Sequence, residues 1–265
     1  MTSTYLDAIG DWHRQRAARD ERQWRERVAP SYGGPSFRSA LRANDAFVAV
    51  IAEIKRRSPS KGWLNENLDA LALADVYQTA GASALSVLTD REHFGARAED
   101  LSSVAQQVTI PCLRKDFTVS ENDVLDAREM GAAAVLLIVA LLSDSELHRY
   151  RELAESVSMD ALVEVHSEEE ARRALDAGAT VIGVNQRNLH TFVVDPTHAA
   201  SVIASLPPSV MRVAESGLRT SHDVRVAGDA GFDAVLVGES FVTSSSIQQV
   251  VHEFSSVPRS LDFQR

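Results

Sequence analysis

The stretch Phe47-Val48-Ala49-Val50-Ile51-Ala52-Glu53-Ile54-Lys55-Arg56-Arg57-Ser58-Pro59-Ser60 decides how the rest of the chain is read. From Phe47 to Ile54 only Glu53 is polar, which is the composition of a strand buried on both faces. Strands of that kind lie in parallel sheets covered by helices. An open sheet of this class that binds a dinucleotide carries G-x-G-x-x-G after its first strand, so that backbone can approach the pyrophosphate. Here the turn carries Lys55, Arg56, Arg57 and Ser58 instead. The strand ends in charge, and an open dinucleotide-binding sheet is the weaker reading.

Seven further apolar runs follow, at 84–88, 109–113, 134–139, 161–165, 181–184, 210–214 and 234–237. With the first they make eight, spaced by roughly 25 residues, the length of a strand–helix unit. The longest apolar stretch, 132–142, reads as a buried strand. Between the runs lie amphipathic segments with helix punctuation. The segment 68–80 has Asp69 as an N-cap and stops at Gly81, and 143–157 opens with Ser143 and Glu146 in a capping-box pattern. Segments 167–177 and 220–230 end at Gly178 and Gly231.

Eight units favour closure over an open sheet. The expected fold class is α/β, a (β/α)8 TIM barrel with an N-terminal helical extension. The expected boundaries are 1–46 for the extension, packed on the barrel, 47–256 for the barrel and 257–265 for a C-terminal tail. The extension is rich in Arg interleaved with Asp20, Glu21 and Glu26, which reads as a solvated helix face. Trp12 and Trp24 are spaced to share one helical face and, with Trp63, read as packing residues.

Composition narrows the function. A chain of 265 residues, 45% hydrophobic and 24% charged, can bury a large core without metals or disulfides. Its net charge of −10 argues against nucleic acid, which demands a basic stripe, so an anionic ligand would need cations concentrated locally. The lone cysteine, Cys112, sits in an apolar run and reads as a small buried hydrophobe. No run reaches the roughly 18 apolar residues of a membrane span, and the first residues lack a signal-type hydrophobic region. A cytoplasmic location is expected. His93, His190 and His222 have no metal-ligand spacing, and His166 reads as a neighbour of the following helix.

In such barrels the active site lies at the C-terminal ends of the strands. There the chain places Glu53 and Lys55 after the first run, Thr89, Asp90 and Phe94 after the second, and Arg114, Lys115, Asp116 and Phe117 after the third. Glu164 ends the fifth, Asn185 and Arg187 the sixth, Glu215, Ser216 and Gly217 the seventh, and Gly238 and Glu239 the eighth. Ionisable groups converging on one rim can tune one another for acid–base work. By strand periodicity Arg114 should point to the face opposite Lys115. The glycine-bearing turns after the last two strands sit where barrels of this type often hold phosphate.

At these residues the chain resembles the indole-3-glycerol-phosphate synthases of tryptophan biosynthesis. The run from Ile51 through Gly62 looks like that family's signature. It is supported in order by Leu88-Thr89-Asp90, Leu113-Arg114-Lys115-Asp116-Phe117, Leu162-Val163-Glu164-Val165-His166, Gly183-Val184-Asn185, Arg187-Asn188-Leu189, Ala214-Glu215-Ser216-Gly217 and Val237-Gly238-Glu239-Ser240. The chain departs from the family with Ser120-Glu121-Asn122-Asp123 after Phe117, with the residues around Phe94, and with Gln186.

The resemblance implies a carboxy-lyase that closes the indole ring of 1-(2-carboxyphenylamino)-1-deoxyribulose 5-phosphate with loss of CO₂ and water, without cofactor or metal. It implies Lys115 as general acid, Glu164 and Glu53 as acid/base groups, and Lys55 as a catalytic cation paired with Glu53. It implies Ser58, Phe94, Phe117, Asn185, Arg187, Leu189 and Glu215 as substrate-binding, and Ser216, Gly217, Gly238 and Glu239 as phosphate-binding. The partner implied is the small phosphorylated anthranilate–ribulose substrate, with no nucleic acid or membrane. A monomer is expected, and association with other tryptophan-pathway enzymes is left open. An acid of this kind works best near its operating pKa, and Lys115 beside other cations on a dry rim is expected to be lowered.

Two other readings stay open on the residues alone. One is another phosphosugar barrel: an isomerase would want a cysteine where Glu53 stands, and a Schiff-base aldolase would use Lys115 or Lys55 as an amine nucleophile. The other is a barrel that binds a phosphorylated metabolite without catalysis.

Overall fold

The computed structural model describes residues 5–58, 61–187 and 196–259, with backbone alone at 196–198. The chain opens with α1 (Tyr5–Ala17), a 3-10 turn at Trp24–Glu26 and α2 (Phe37–Arg42). Then come β1 (Ala49–Ile54), the short hairpin β2 (Arg57–Ser58) and β3 (Gly62–Trp63), α3 (Ala70–Thr79), β4 (Ala84–Leu88), α4 (Arg91–Phe94) and α5 (Asp100–Gln107). The middle holds β5 (Cys112–Lys115), α6 (Glu121–Glu129), β6 (Ala134–Ile138), α7 (Asp144–Ser156), β7 (Asp160–Val165) and α8 (Glu168–Asp176). The last part holds β8 (Val181–Asn185), α9 (Pro196–Ala204), β9 (Met211–Glu215), α10 (Ser221–Asp229), β10 (Ala234–Val237), α11 (Glu239–Val242) and α12 (Ile247–Ser255).

Strands β1 and β4 to β10 form a closed parallel barrel in the order β1-β10-β9-β8-β7-β6-β5-β4, with β4 pairing back onto β1. The predicted (β/α)8 TIM barrel is what forms. Helix starts follow the sequence punctuation. Asp69 accepts from the backbone N–H groups of Leu71 and Ala72, and Ser143 and Glu146 complete a capping box. Thr220 and Asp223 form a second box at the start of α10. Each cap satisfies helix N–H groups that have no intrahelical partner.

Alternation along the strands divides the core in two. Ala49, Ile51, Ala84, Leu113, Leu162, Val181, Met211, Val213, Ala234 and Leu236 pack together inside the barrel, where Phe37 and Leu41 of α2 join them. The alternate residues, Val50, Ala52, Leu85, Val87, Val135, Leu137, Val163, Ile182 and Val235 among them, pack outward against the helices. Both faces of β1, β4, β6 and β10 are buried along their whole length, as their apolar runs require.

Several expectations are corrected. The third strand begins at Cys112, three residues later than the apolar run at 109. Thr109 and Ile110 donate their N–H groups to Gln78 Oε1 at 2.7 and 3.3 Å, and Pro111 has no N–H for a ladder. The apolar stretch 132–142 is not all strand, because after Ile138 it winds into a 3-10 turn at Val139–Leu141 that leads to α7. Trp12 and Trp24 lie in separate elements and share no helical face, and Trp12 and Trp63 are 41% and 50% exposed. The N-terminal arginines stay largely open to solvent, as expected, but several of them are also paired. Arg14 pairs with Glu146, Arg16 with Asp123, Arg22 and Arg27 with Asp126, and Arg27 also with Glu129, so the extension is tied to α6 and α7. Cys112 is buried, and burial pushes its thiol up to about 12.

Candidate active site

The site is an extension of the inner core by one more residue per strand. Side chains at i and i+2 share a face of a strand, so the residue two beyond an inward apolar one also points inward, at the C-terminal rim. Glu53 thus follows Ile51, Lys115 follows Leu113, Glu164 follows Leu162, Asn185 follows Gly183, Glu215 follows Val213 and Gly238 follows Leu236. Arg114 takes the other face, as expected, donating to Thr89 Oγ1 at 3.1 Å, the Asp123 carbonyl at 2.7 Å and Asp116 Oδ2 at 2.8 Å.

These side chains meet. Lys115 Nζ lies 3.3 Å from Glu164 Oε2 and 3.3 Å from Glu215 Oε2. Lys55 Nζ donates to Glu53 Oε1 at 2.6 Å, and Ser86 Oγ donates to Glu53 Oε2 at 3.2 Å. Asn185 Nδ2 donates to Glu164 Oε1 at 3.0 Å, while its Oδ1 accepts from Ser216 Oγ at 2.9 Å and the Arg187 N–H at 3.1 Å. The fit depends on glycine. A Cβ on Gly183 would overlap the Glu215 carboxylate, and one on Gly238 would lie 2.7 Å from Glu53 Oε1. Ser216 and Gly217 both have left-handed backbone, with φ of 68° and 81°, and a serine there is the strained case that active sites tolerate.

The electrostatics differ from the expectation for Lys115. Burial alone would push its ammonium down, but Glu215, Glu164 and Glu53 outweigh that and raise it above the ordinary lysine range. The neighbours across the barrel are carboxylates, not cations. Burial also opposes ionisation of Glu164, yet Lys115 and His166 hold it down to about 2. For Glu215, burial and the charge of Glu164 win against Lys115 and push it up to about 8. Glu53 is held below the usual carboxylate range because Lys55 and Lys115 overcome its burial. Of the carboxylates around one ammonium, Glu215 is therefore the one whose affinity for a proton is raised.

These groups form one end of a cavity of about 270 Å³. Every site residue expected from the sequence lines it except Leu189, which lies outside the described residues. Phe94, Phe117, Leu88, Leu136 and Ile138 supply an apolar wall, and Ser216, Gly217, Gly238 and Glu239 line a polar one. The cavity also includes Tyr5, Leu6 and Ile9 of α1, together with Lys61, Arg219 and Ser240, to none of which the sequence reading gave a role. Lys61, paired with Glu239, stands inside the quoted first-strand signature, so its signal was present. The basic run after β1 divides: Lys55 enters the cavity, Arg56 is buried against Asp100, and Arg57 lies over the Trp63 ring.

Helix α1 is fastened to the rim by residues distant in sequence. His13 Nε2 lies 3.2 Å and His93 Nδ1 2.7 Å from the same oxygen, Asp90 Oδ2, with Phe117 stacked 5.2 Å from the His13 ring. The ligating atoms of this trio lie within 4.8 Å of one another, a set that linear spacing does not reveal. Yet His13 Nδ1 has no hydrogen-bond partner among the described residues, where a metal-bound imidazole usually has its second nitrogen held. The arrangement reads as a hydrogen-bonded clamp. The divergent loop after β5 has a similar use: Ser120 caps α6, and Asp123, buried, receives Arg16.

The family model for indole-3-glycerol phosphate synthase matches residues 10–254. The chain belongs to this family. An indole-3-glycerol phosphate synthase of Chlorobium phaeovibrioides is 43% identical over 251 residues, covering 93% of this chain and 97% of its own. One from Parafrankia sp. is 52% identical over 204 residues, covering 77% and 76%. Among solved structures, a thiamine phosphate pyrophosphorylase from Pyrococcus furiosus superposes with a TM-score of 0.58 at 15% identity, covering 78% of this chain and 93% of its own, which speaks for the barrel fold alone. The chain is an indole-3-glycerol phosphate synthase-type carboxy-lyase of tryptophan biosynthesis. Its substrate is a phosphorylated anthranilate-derived intermediate, closed to the indole ring with loss of CO₂ and water. No helix among the described residues is long and apolar enough to cross a membrane.

Proposed function

We propose that Lys115 is the general acid of the ring closure, with the surrounding carboxylates dividing the remaining proton transfers. In this reading the anthranilate ring lies against Phe94 and Phe117, and its carboxylate-bearing carbon attacks the ribulose carbonyl. Lys115 protonates the carbonyl oxygen as charge develops there, and loss of CO₂ restores the aromatic ring. Glu164 then serves the dehydration, in which the new hydroxyl leaves as water and the adjacent methylene loses a proton. Glu53, paired with Lys55, is the second acid/base group, and Lys55 also faces the substrate's anions. Ser58, Asn185, Arg187 and Glu215 position the ribulose chain. Ser216, Gly217, Gly238 and Glu239 offer backbone donors to the phosphate, which Lys61 and Arg219 attract.

The observation that carries this reading is the ammonium of Lys115 between Glu164 and Glu215 on the floor of the cavity. A charged ammonium can donate a proton where a neutral amine cannot. The same observation disfavours an imine-forming role, which needs the free amine. The reading extends to a cytoplasmic monomer with 1–46 as an extension, 47–256 as the barrel and 257–265 as a tail.

The test is product fluorescence after adding the carboxyphenylamino-deoxyribulose phosphate to the purified protein, with borohydride present in a parallel sample. Indole product without a trapped adduct is the expected result. A borohydride-stable adduct with the ketose phosphate would move Lys115 or Lys55 to the role of nucleophile.

A further inference from the structure

The reaction does not balance without solvent. The substrate's carboxylate departs as neutral CO₂, and its carbonyl oxygen departs as water, which carries two hydrogens. One of these is returned by the methylene that becomes the indole C–H. The other must enter the site from bulk water, so each turnover takes up one proton. Lys115 begins each cycle as the donor and has to be reloaded. Its side chain and that of Glu164 are only 15% and 5% exposed, and bound substrate would cover the cavity side further.

We propose that His166 and Glu170 form the entry route for this proton, delivering it to Glu164 and thence to Lys115 from behind the substrate. His166 is not among the residues lining the cavity. It stands just past the end of β7, with Nε2 3.4 Å from Glu164 Oε1. Its Nδ1 lies 3.3 Å from Glu170 Oε2 on the first turn of α8, and the same oxygen accepts the His166 N–H at 2.7 Å. The imidazole thus stands between an acid in the cavity and one nearer the surface, since the Glu170 side chain is 20% exposed against 5% for Glu164. An imidazole can accept a proton at one nitrogen and release it from the other, which suits a relay between two carboxylates. The charged groups facing it are Glu164 from β7, Glu170 from α8 and Glu215 from β9, all acidic. Burial opposes the charged ring, but these acids outweigh it and raise its pKa above the ordinary imidazole range.

His166 touches Glu164 and not the cavity, so it is a positioning and proton-delivery residue. The inference rests on Glu164 acting in the reaction. The experiment compares wild type, His166→Asn, Glu170→Gln and Glu164→Gln in single-turnover and steady-state product formation, across pH and with added imidazole. A preloaded Lys115 should give His166→Asn a near-normal first turnover, while its steady-state kcat falls by about tenfold or more. KM should stay unchanged, the fall should deepen as pH rises, and imidazole should restore the rate. Glu170→Gln keeps the helix-end hydrogen bond and should show a smaller loss of the same kind. Wild-type steady-state rates and pH profiles in both His166→Asn and Glu170→Gln would overturn the relay. So would an equal loss in the first and later turnovers that imidazole does not relieve. If Glu164→Gln is inactive while both relay variants are normal, the relay alone fails. If Glu164→Gln is itself fully active, the role proposed for Glu164 fails and the relay with it.

Discussion

The carboxylates around Lys115 and those that receive the N-terminal arginines form the same kind of contact in opposite surroundings. Lys115, Glu164 and Glu215 have side chains 15%, 5% and 3% exposed, whereas Arg14 and Arg22 in the extension are 40% and 49% exposed. In water two such charges attract weakly and salt screens them, so exposed pairs contribute about 0–1 kcal/mol each. Away from water the same charges reset one another's proton affinity, which is what drives Glu215 up and Glu164 down. At the rim the ion pairs set proton affinities, and the extension uses several weak ones, with the His13–Asp90 clamp, to hold α1 against the cavity.

That contrast can be broken in stages. The largest effect is expected from Glu164→Gln, which should lower kcat by about 10²–10⁴-fold with the fold intact. Glu146→Gln, which breaks an ion pair of the extension, should change kcat little. Steady-state kinetics of the two variants side by side decide this, and comparable losses would erase the distinction. Next comes Gly183→Ala. The added methyl must displace the Glu215 carboxylate, and overpacking of this kind costs about 1–3 kcal/mol by denaturant titration. Turnover should fall with it, and a variant of wild-type stability would show that the Glu215 side chain is not confined as described.

A subtler effect concerns pH. The pKa of Glu215 is raised on folding, so its contribution to stability is fully present below the unfolded carboxylate range and is lost as pH rises toward about 8. Wild type should therefore lose stability relative to Glu215→Gln across that window. Parallel pH-dependent melting curves for the two proteins would remove Glu215 from this account. The smallest effect belongs to Arg22→Ala, expected to cost less than about 1 kcal/mol and to cost still less in high salt. A larger, salt-insensitive loss by denaturant titration would mean that the extension is docked by more than surface charge.

The barrel was legible because its signals are local. Apolar runs of strand length, caps such as Asp69 and Ser143, and stops such as Gly81 each act within a few residues of themselves. The placement of the rim side chains was legible for the same reason, since a polar residue two positions beyond an inward apolar one must reach the rim. What escaped is what depends on partners brought in by closure. The carboxylates that set the charge state of Lys115 come from 49 and 100 residues away, which reverses the expected direction of its shift. The clamp joins His13 to Asp90 across 77 residues, and no spacing rule reports it. Strand β5 began late because a side chain on α3, Gln78, had already taken the N–H groups at 109 and 110.

The central claim is that the ammonium of Lys115, held charged by its carboxylate neighbours, starts the ring closure. Single-turnover product fluorescence of Lys115→Ala against wild type tests it most directly. A fall of several orders of magnitude in the first turnover, with a normally folded variant, is the predicted result. A first turnover within about tenfold of wild type would contradict it, because loss of a general acid costs more than that.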